Sequence, residues 1–387
     1  MKTTSDFIAK RFRSIDAGLS LDTKALARYN DVIDLSIGDT DFITDDAIID
    51  AAFHDAKAGY THYGNPMGDP ELIHAVCAAW QEDFRQPLTP DHVLITASSC
   101  LGMALVMMAI LDPGDEVIVF SPYFSLYRNQ IELAGGVCVE VPTYAEESWA
   151  VDEARLRAAI TPKTKAIIFN NPCNPTGMMY SRKELEAIAK VCVDNDLYVL
   201  SDEIYSELSY QGDHVSIAAI PGMKERSVVI NGFSKSYAMT GWRLGYAVGP
   251  KEIIKQMIKV HQYLIMSAPT TSQYAAIEAL RNGDEDVAKM RESYDERRRF
   301  LVKELREMGM PCFEPMGAFY VFPNISRFGM TSEEFAKTLL EKEHVAVVPG
   351  SAFGTCGEGF LRISYAYSIE DLKKALVKIQ NFIDTIS

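Results

Sequence analysis

The sequence predicts an α/β fold, with a large unit built on a mostly parallel central sheet covered by helices and a smaller α/β unit after it. Three observations carry this. Short runs rich in β-branched residues alternate with helical patterns through the middle of the chain. Chemically capable residues cluster just after those runs, where open parallel sheets bind ligands. From about Lys251 the pattern changes to long charged helices and a few short strands.

Taken in order, the expected strands of the large unit are Val93–Ala97, Glu116–Phe120, Lys165–Asn170, Tyr198–Asp202, Ser227–Asn231 and Arg243–Val248. Leu101–Leu111 is the longest apolar run and stops sharply at Asp112-Pro113-Gly114-Asp115. It is too short to span a bilayer and reads as a buried helix. Ser181–Asp194 reads as a helix with Ser181 as its N-cap and Glu184 completing a capping box. Beyond Lys251 a charged helix is expected around Glu285–Met308 and strands at Phe319–Pro323, Ala346–Pro349 and Leu361–Tyr365. A closing helix begins at Ser368. The expected division is a segment 1–45 that packs with the smaller unit, a large unit 46–280 and a small unit 281–387.

Composition narrows the function. The 387 residues, 48% of them apolar, suffice for two or three domains with a sizeable core. The net charge of −15 disfavours a nucleic acid or an anionic membrane as partner. The seven cysteines are odd in number and scattered, without a C-x-x-C pair. This predicts a reducing, cytoplasmic setting, with no disulfide framework and no structural metal. The first residues, MKTTSDFIAKRFRSID, lack the apolar core of a signal peptide. G-x-G-x-x-G, G-x-x-x-x-G-K-[ST], H-E-x-x-H and G-x-S-x-G are all missing, which argues against the dinucleotide, P-loop, zinc-protease and hydrolase classes.

The densest chemistry lies in Asn231–Gly245, which reads NGFSKSYAMTGWRLG. Lys235 follows an expected strand and sits among small and aromatic residues. Burial near another cation lowers a lysine's pKa and frees the amine for Schiff-base chemistry. Arg243 could be that cation and could also take a phosphate in bidentate fashion. A loop lysine and a surface arginine are the plain alternatives for either residue alone.

The run resembles the lysine signature of the class I/II aminotransferases of fold type I, in the branch that holds bacterial aspartate and aromatic aminotransferases. Further segments match in order: IDLSIG at 33–38, LDPGDEV at 111–117, NPCNPTG at 171–177, SDEIY at 201–205, VPGS at 348–351 and FLRISYA at 360–366. The resemblance covers roughly Asp31 to the C-terminus.

The resemblance implies pyridoxal 5'-phosphate held as a Schiff base on Lys235. It implies that Asp202 pairs with the protonated pyridine nitrogen, making the ring an electron sink. Tyr205 and Asn174 would bond the ring's phenolic oxygen, and the Asn174–Pro175 bond is expected to be cis. Ser98, Ser99 and Cys100 are implied as phosphate contacts. A glycine is common where Ser98 stands, so the backbone N–H groups, not the side chains, are expected to serve. Arg243 and, more weakly, Ser234 complete that cradle. Phe124 matches the aromatic residue that stacks on the ring, with neighbouring Tyr123 as the alternative. Tyr63 matches a tyrosine that reaches the phosphate from the other subunit, which implies a homodimer with shared active sites. Arg362, the Gly38 N–H and Asn174 would hold the substrate α-carboxylate. No role is expected for histidines such as His62 and His261.

The implied activity is transfer of an amino group from an L-amino acid to a 2-oxo acid, 2-oxoglutarate being the expected acceptor. A pyridoxal-phosphate C–S β-lyase or decarboxylase would use the same Lys235 and Asp202 and is the alternative. A ligand sensor fused to a DNA-binding helix-turn-helix would need a long N-terminal extension, and a nicotinamide dehydrogenase would need the missing glycine fingerprint. The identity of the amino donor stays open at this stage.

Overall fold

The computed structural model describes residues 4–9, 12 and 28–386. The expected segment 1–45 is therefore seen mainly from residue 28 onward, and residues 13–27 lie outside the described residues.

Among the described residues the first strand is β1 (Ile33–Asp34). Seven strands then form the central sheet: β2 (Val93–Thr96), β3 (Glu116–Ser121), β4 (Val137–Pro142), β5 (Thr164–Asn170), β6 (Tyr198–Asp202), β7 (Ser227–Gly232) and β8 (Gly245–Val248). Their order is β2-β8-β7-β6-β5-β3-β4. The pairs from β4 to β7 are parallel, whereas β8 runs antiparallel to both β7 and β2. This arrangement brings the carboxyl ends of β2, β3, β5, β6 and β7 to one edge, together with the start of β8.

Both faces of the sheet are covered, so its strands are apolar nearly throughout. Val117, Val119, Ile168, Leu200 and Ile230 pack on one face against the helices Ser99–Ile110 and Lys251–Ile265. Ile118, Ile167 and Val199 pack on the other face against the helix Arg182–Asp194. That helix starts as expected, with Ser181 and Glu184 forming both bonds of a capping box.

The smaller unit carries β9 (Tyr320–Val321), β10 (Val345–Ala346), β11 (Val348–Pro349) and β12 (Leu361–Ser364). The antiparallel order is β11-β12-β9, and β10 pairs in parallel with β1. The helices Asp284–Glu307, Ser332–Glu343 and Ile369–Ile386 surround these strands. Their core holds Leu301, Phe335, Leu339 and Phe382, and extends to Ile204, Tyr205 and Leu208 just past β6. The loop after β6 is thus anchored in the smaller unit's core.

Two strand expectations change, and one strand is additional. Ala346–Pro349 is split, because Val345–Ala346 and Val348–Pro349 pair with different partners. The strand Val137–Pro142 was not anticipated. Arg243 lies outside β8, in the left-handed region with φ 56°, because a 3-10 turn at Thr240–Trp242 precedes the strand. Among the described residues no helix is long and apolar enough to cross a membrane, and no cluster of His, Cys, Asp and Glu could hold a metal ion.

Candidate active site

A cavity of about 480 Å³ opens at the sheet edge where the strand ends converge. The large sheet sends Ser98, Ser99 and Cys100 after β2, Phe124 after β3, Asn174 after β5, Asp202 and Tyr205 at the end of β6, and Ser234 and Lys235 after β7. Arg243 comes from just before β8, Gly38 from the segment after β1, and Arg362 from β12. Every residue singled out from the sequence lines this cavity except Tyr63, which is 87% exposed, and Tyr123.

The approach of Ser99 to the sheet depends on two glycines. A Cβ at Gly232 would come within 2.6 Å of the Ser99 hydroxyl, and one at Gly245 would overlap the Ser99 backbone. Ser98 caps the helix Ser99–Ile110 by accepting from the Leu101 N–H at 3.0 Å. The Ser99 hydroxyl donates to the Asn231 carbonyl at 3.0 Å. Both side chains are thereby occupied, while the Ser99 and Cys100 N–H groups have no partner within the helix. The Cys100 thiol is pushed up by burial and by the nearby Asp202, so it is not a ready thiolate.

Lys235 donates from Nζ to the Gly38 carbonyl at 2.5 Å. Burial, joined by the charges of Arg362 and Arg243 and opposed by Asp39, brings its amine down to about 8. This bond uses the Gly38 carbonyl and leaves its N–H, the group expected to meet a substrate carboxylate, uninvolved. Asp202 is 9% exposed and is raised to about 6, mainly by burial. Hydrogen bonds from the Tyr127 hydroxyl at 2.7 Å and the Ile204 N–H at 3.2 Å oppose that rise.

Arg362 is 2% exposed. Its Nη1 donates to Asn174 Oδ1 at 3.0 Å and its Nη2 to the Ser36 carbonyl at 2.5 Å, while its Nε has no hydrogen-bond partner among the described residues. The Asn174–Pro175 bond is cis. Tyr123 turns away from the cavity to donate to Glu140 at 2.8 Å, so Phe124 is the aromatic residue of that turn in the cavity wall.

The model of the family described as aminotransferase class I and II matches residues 30–379. The chain belongs to that family. This aminotransferase is 44% identical over 360 residues to an aspartate aminotransferase of Pyrococcus abyssi, covering 92% of each chain. It is 40% identical over 353 residues to aromatic-amino-acid aminotransferase 2 of Thermococcus litoralis, covering 90% of this chain and 91% of the relative. The solved structure of the aspartate aminotransferase from Thermus thermophilus with maleate superposes with a TM-score of 0.92 at 39% identity, over 97% of this chain and 99% of that one.

Sequence reasoning missed Tyr127, Tyr320 and Ser36. Tyr127 lies three residues after Phe124, a helical step that could have drawn notice. Ser36 stands in the matched segment 33–38, two residues before Gly38, so that segment could have pointed to it, whereas Tyr320 reaches the site from a distant strand and carries no local signal.

Proposed function

We propose that this aminotransferase works with pyridoxal 5'-phosphate linked to Lys235 and moves an amino group from an L-amino acid to 2-oxoglutarate. The observation that carries the reading is the gathering of Lys235, Asp202, Tyr205, Arg243 and Arg362 in one cavity. The donor set fits the group. Arg243 and the first-turn N–H groups of Ser99 and Cys100 suit a phosphate, and the Asp202 carboxylate suits a protonated ring nitrogen. A substrate carboxylate would give the buried Arg362 Nε the acceptor it lacks within the chain.

When bound, the cofactor supplies a sink for the charge that develops at the substrate Cα. Asp202 would balance the positive charge of the ring nitrogen, and Tyr205 and Asn174 would serve the phenolic oxygen. Arg362 grips the α-carboxylate and orients the substrate. Lys235 Nζ, with its lowered pKa, would take the substrate Cα proton as base and deliver it as acid to the cofactor's C4′ carbon. Phe124, in the cavity wall, would pack on the ring. The named activities of the relatives make acidic and aromatic amino acids the donors to try first. The exposed Tyr63 is available to a second subunit, in keeping with a homodimer that shares its active sites. Seven free cysteines accord with a reducing, cytoplasmic setting.

The test is Lys235→Ala. Turnover should fall by at least about 10²–10⁴-fold and the lysine-linked cofactor absorbance should vanish. Normal activity in this variant would sink the proposal. Pyruvate and ammonia released from a cysteine conjugate without an acceptor would assign a lyase instead.

A further inference from the structure

We infer that Tyr320 is a positioning residue that joins the two halves of this site: its hydroxyl donates to Tyr205 while its ring face holds the Arg362 guanidinium. The inference rests on the pyridoxal-phosphate reading above.

Tyr320 is only 1% exposed, yet it lines the cavity. It stands on β9 of the smaller unit, whereas Tyr205 follows β6 of the large sheet. The two hydroxyl oxygens are 2.9 Å apart. On the neighbouring strand β12, the Arg362 guanidinium carbon lies 4.4 Å from the centre of the Tyr320 ring and 5.0 Å from that of Phe353. Gly38 completes the arrangement, because a Cβ there would collide with the Tyr320 hydroxyl. The same glycine accepts from Lys235. One phenol therefore meets Tyr205, Arg362 and Gly38.

The direction of the hydroxyl pair matters. A tyrosine has a single O–H proton. If Tyr205 spent that proton on Tyr320, it would have none for the phenolic oxygen. If Tyr320 donates, the Tyr205 proton is free, and a hydroxyl that accepts a bond is polarised into a stronger donor. Loss of the Tyr320 hydroxyl would weaken the bond from Tyr205 and leave more negative charge on the phenolic oxygen. The nitrogen of Lys235 would then keep its proton to higher pH. The ring has a separate task, since an aromatic face against a desolvated guanidinium fixes the plane of the fork that meets a carboxylate.

Two substitutions separate these tasks in the holoenzyme with pyridoxal 5'-phosphate. Tyr320→Phe keeps the ring. Its absorbance-against-pH midpoint should rise by about half a pH unit to one unit, with KM for the amino acid within about twofold of wild type. Tyr320→Leu should show the same rise and in addition a KM about tenfold higher. A wild-type midpoint in Tyr320→Phe would overturn the inference even if Tyr320→Leu failed to fold, while wild-type cofactor binding and transfer would leave the proposed function standing. A wild-type KM in a folded Tyr320→Leu would overturn the role of the ring. A wild-type enzyme that takes up no pyridoxal 5'-phosphate would remove the proposed function and this inference together.

Discussion

Arg362 and Arg243 both line the cavity and both suit an anion, yet the chain supports them differently. Arg362 is almost wholly buried and bonds Asn174 and Ser36, with Tyr320 and Phe353 beside its guanidinium. Those four residues come from four separate stretches of sequence. Arg243 is exposed and makes one internal bond, to the Thr240 carbonyl at 2.7 Å, three residues away. A buried charge must be compensated by the fold, whereas an exposed one is solvated until a ligand arrives. One end of the site is therefore built by folding, and the other is completed by the phosphate it is proposed to hold.

The largest effect that tests this contrast belongs to Arg362→Lys. A lysine cannot form the planar fork, so kcat/KM for the amino acid should fall on the order of 10²-fold or more, from about 3 kcal/mol of lost charge-assisted bonding. The protein without cofactor should also lose about 1–3 kcal/mol of stability, because the acceptors on Asn174 and Ser36 are left poorly paired. Thermal denaturation of the cofactor-free protein measures the second effect. A variant that melts with wild type would break the contrast.

Arg243→Gln should separate binding from stability. Its affinity for pyridoxal 5'-phosphate should weaken about tenfold, since the contact is charge-assisted but faces solvent. Its cofactor-free stability should stay within about 0.5 kcal/mol of wild type. Fluorescence titration of the cofactor-free protein reads the affinity. Equal losses of stability in the Arg243 and Arg362 variants would show that both ends are built by folding.

The contrast also explains what could be read from the sequence. Lys235 and Arg243 share one fifteen-residue run, and Asn174 and Tyr205 stand in short segments after strands, so local spacing exposed them. The support around Arg362 is not local. Ser36 and Tyr320 become its neighbours only when β1, β9 and β12 assemble, and no periodicity records that. Phe124 and Tyr123 are adjacent, and only the bond from Tyr123 to Glu140 decides which one faces the cavity. The strand Val137–Pro142 escaped because it pairs with β3 alone at the sheet edge and is only partly buried, so it lacks the continuous apolar run of the inner strands.

The smallest effect lies one residue beyond the site and isolates stability from binding. Glu203 adjoins Asp202 but is fully buried away from the cavity, where the Ser201 and Ser216 hydroxyls donate to its Oε1 at 2.8 and 2.9 Å. Its Oε2 lies 3.6 Å from His214 Nε2, and neither atom has a hydrogen-bond partner. Burial pushes Glu203 up to about 8 and His214 down to about 4, so the two face each other as neutral groups near pH 7. The signs then oppose. The folded chain keeps a proton on Glu203 that the unfolded chain releases, so that contribution is full below about 4.5 and is lost as the pH rises towards 8. For His214 the contribution is full above 6.5 and is lost as the pH falls towards 4. Glu203→Gln keeps an oxygen for the two serines and turns an N–H group towards His214, without a proton to lose. Its melting temperature should rise by about 1–3 °C at pH 8 and by less at pH 5, with kcat/KM unchanged within about twofold. A fall at pH 8 would mean that the carboxylate is stabilised as an anion in the folded chain, and Glu203 would then join Arg362 among the charges that folding compensates.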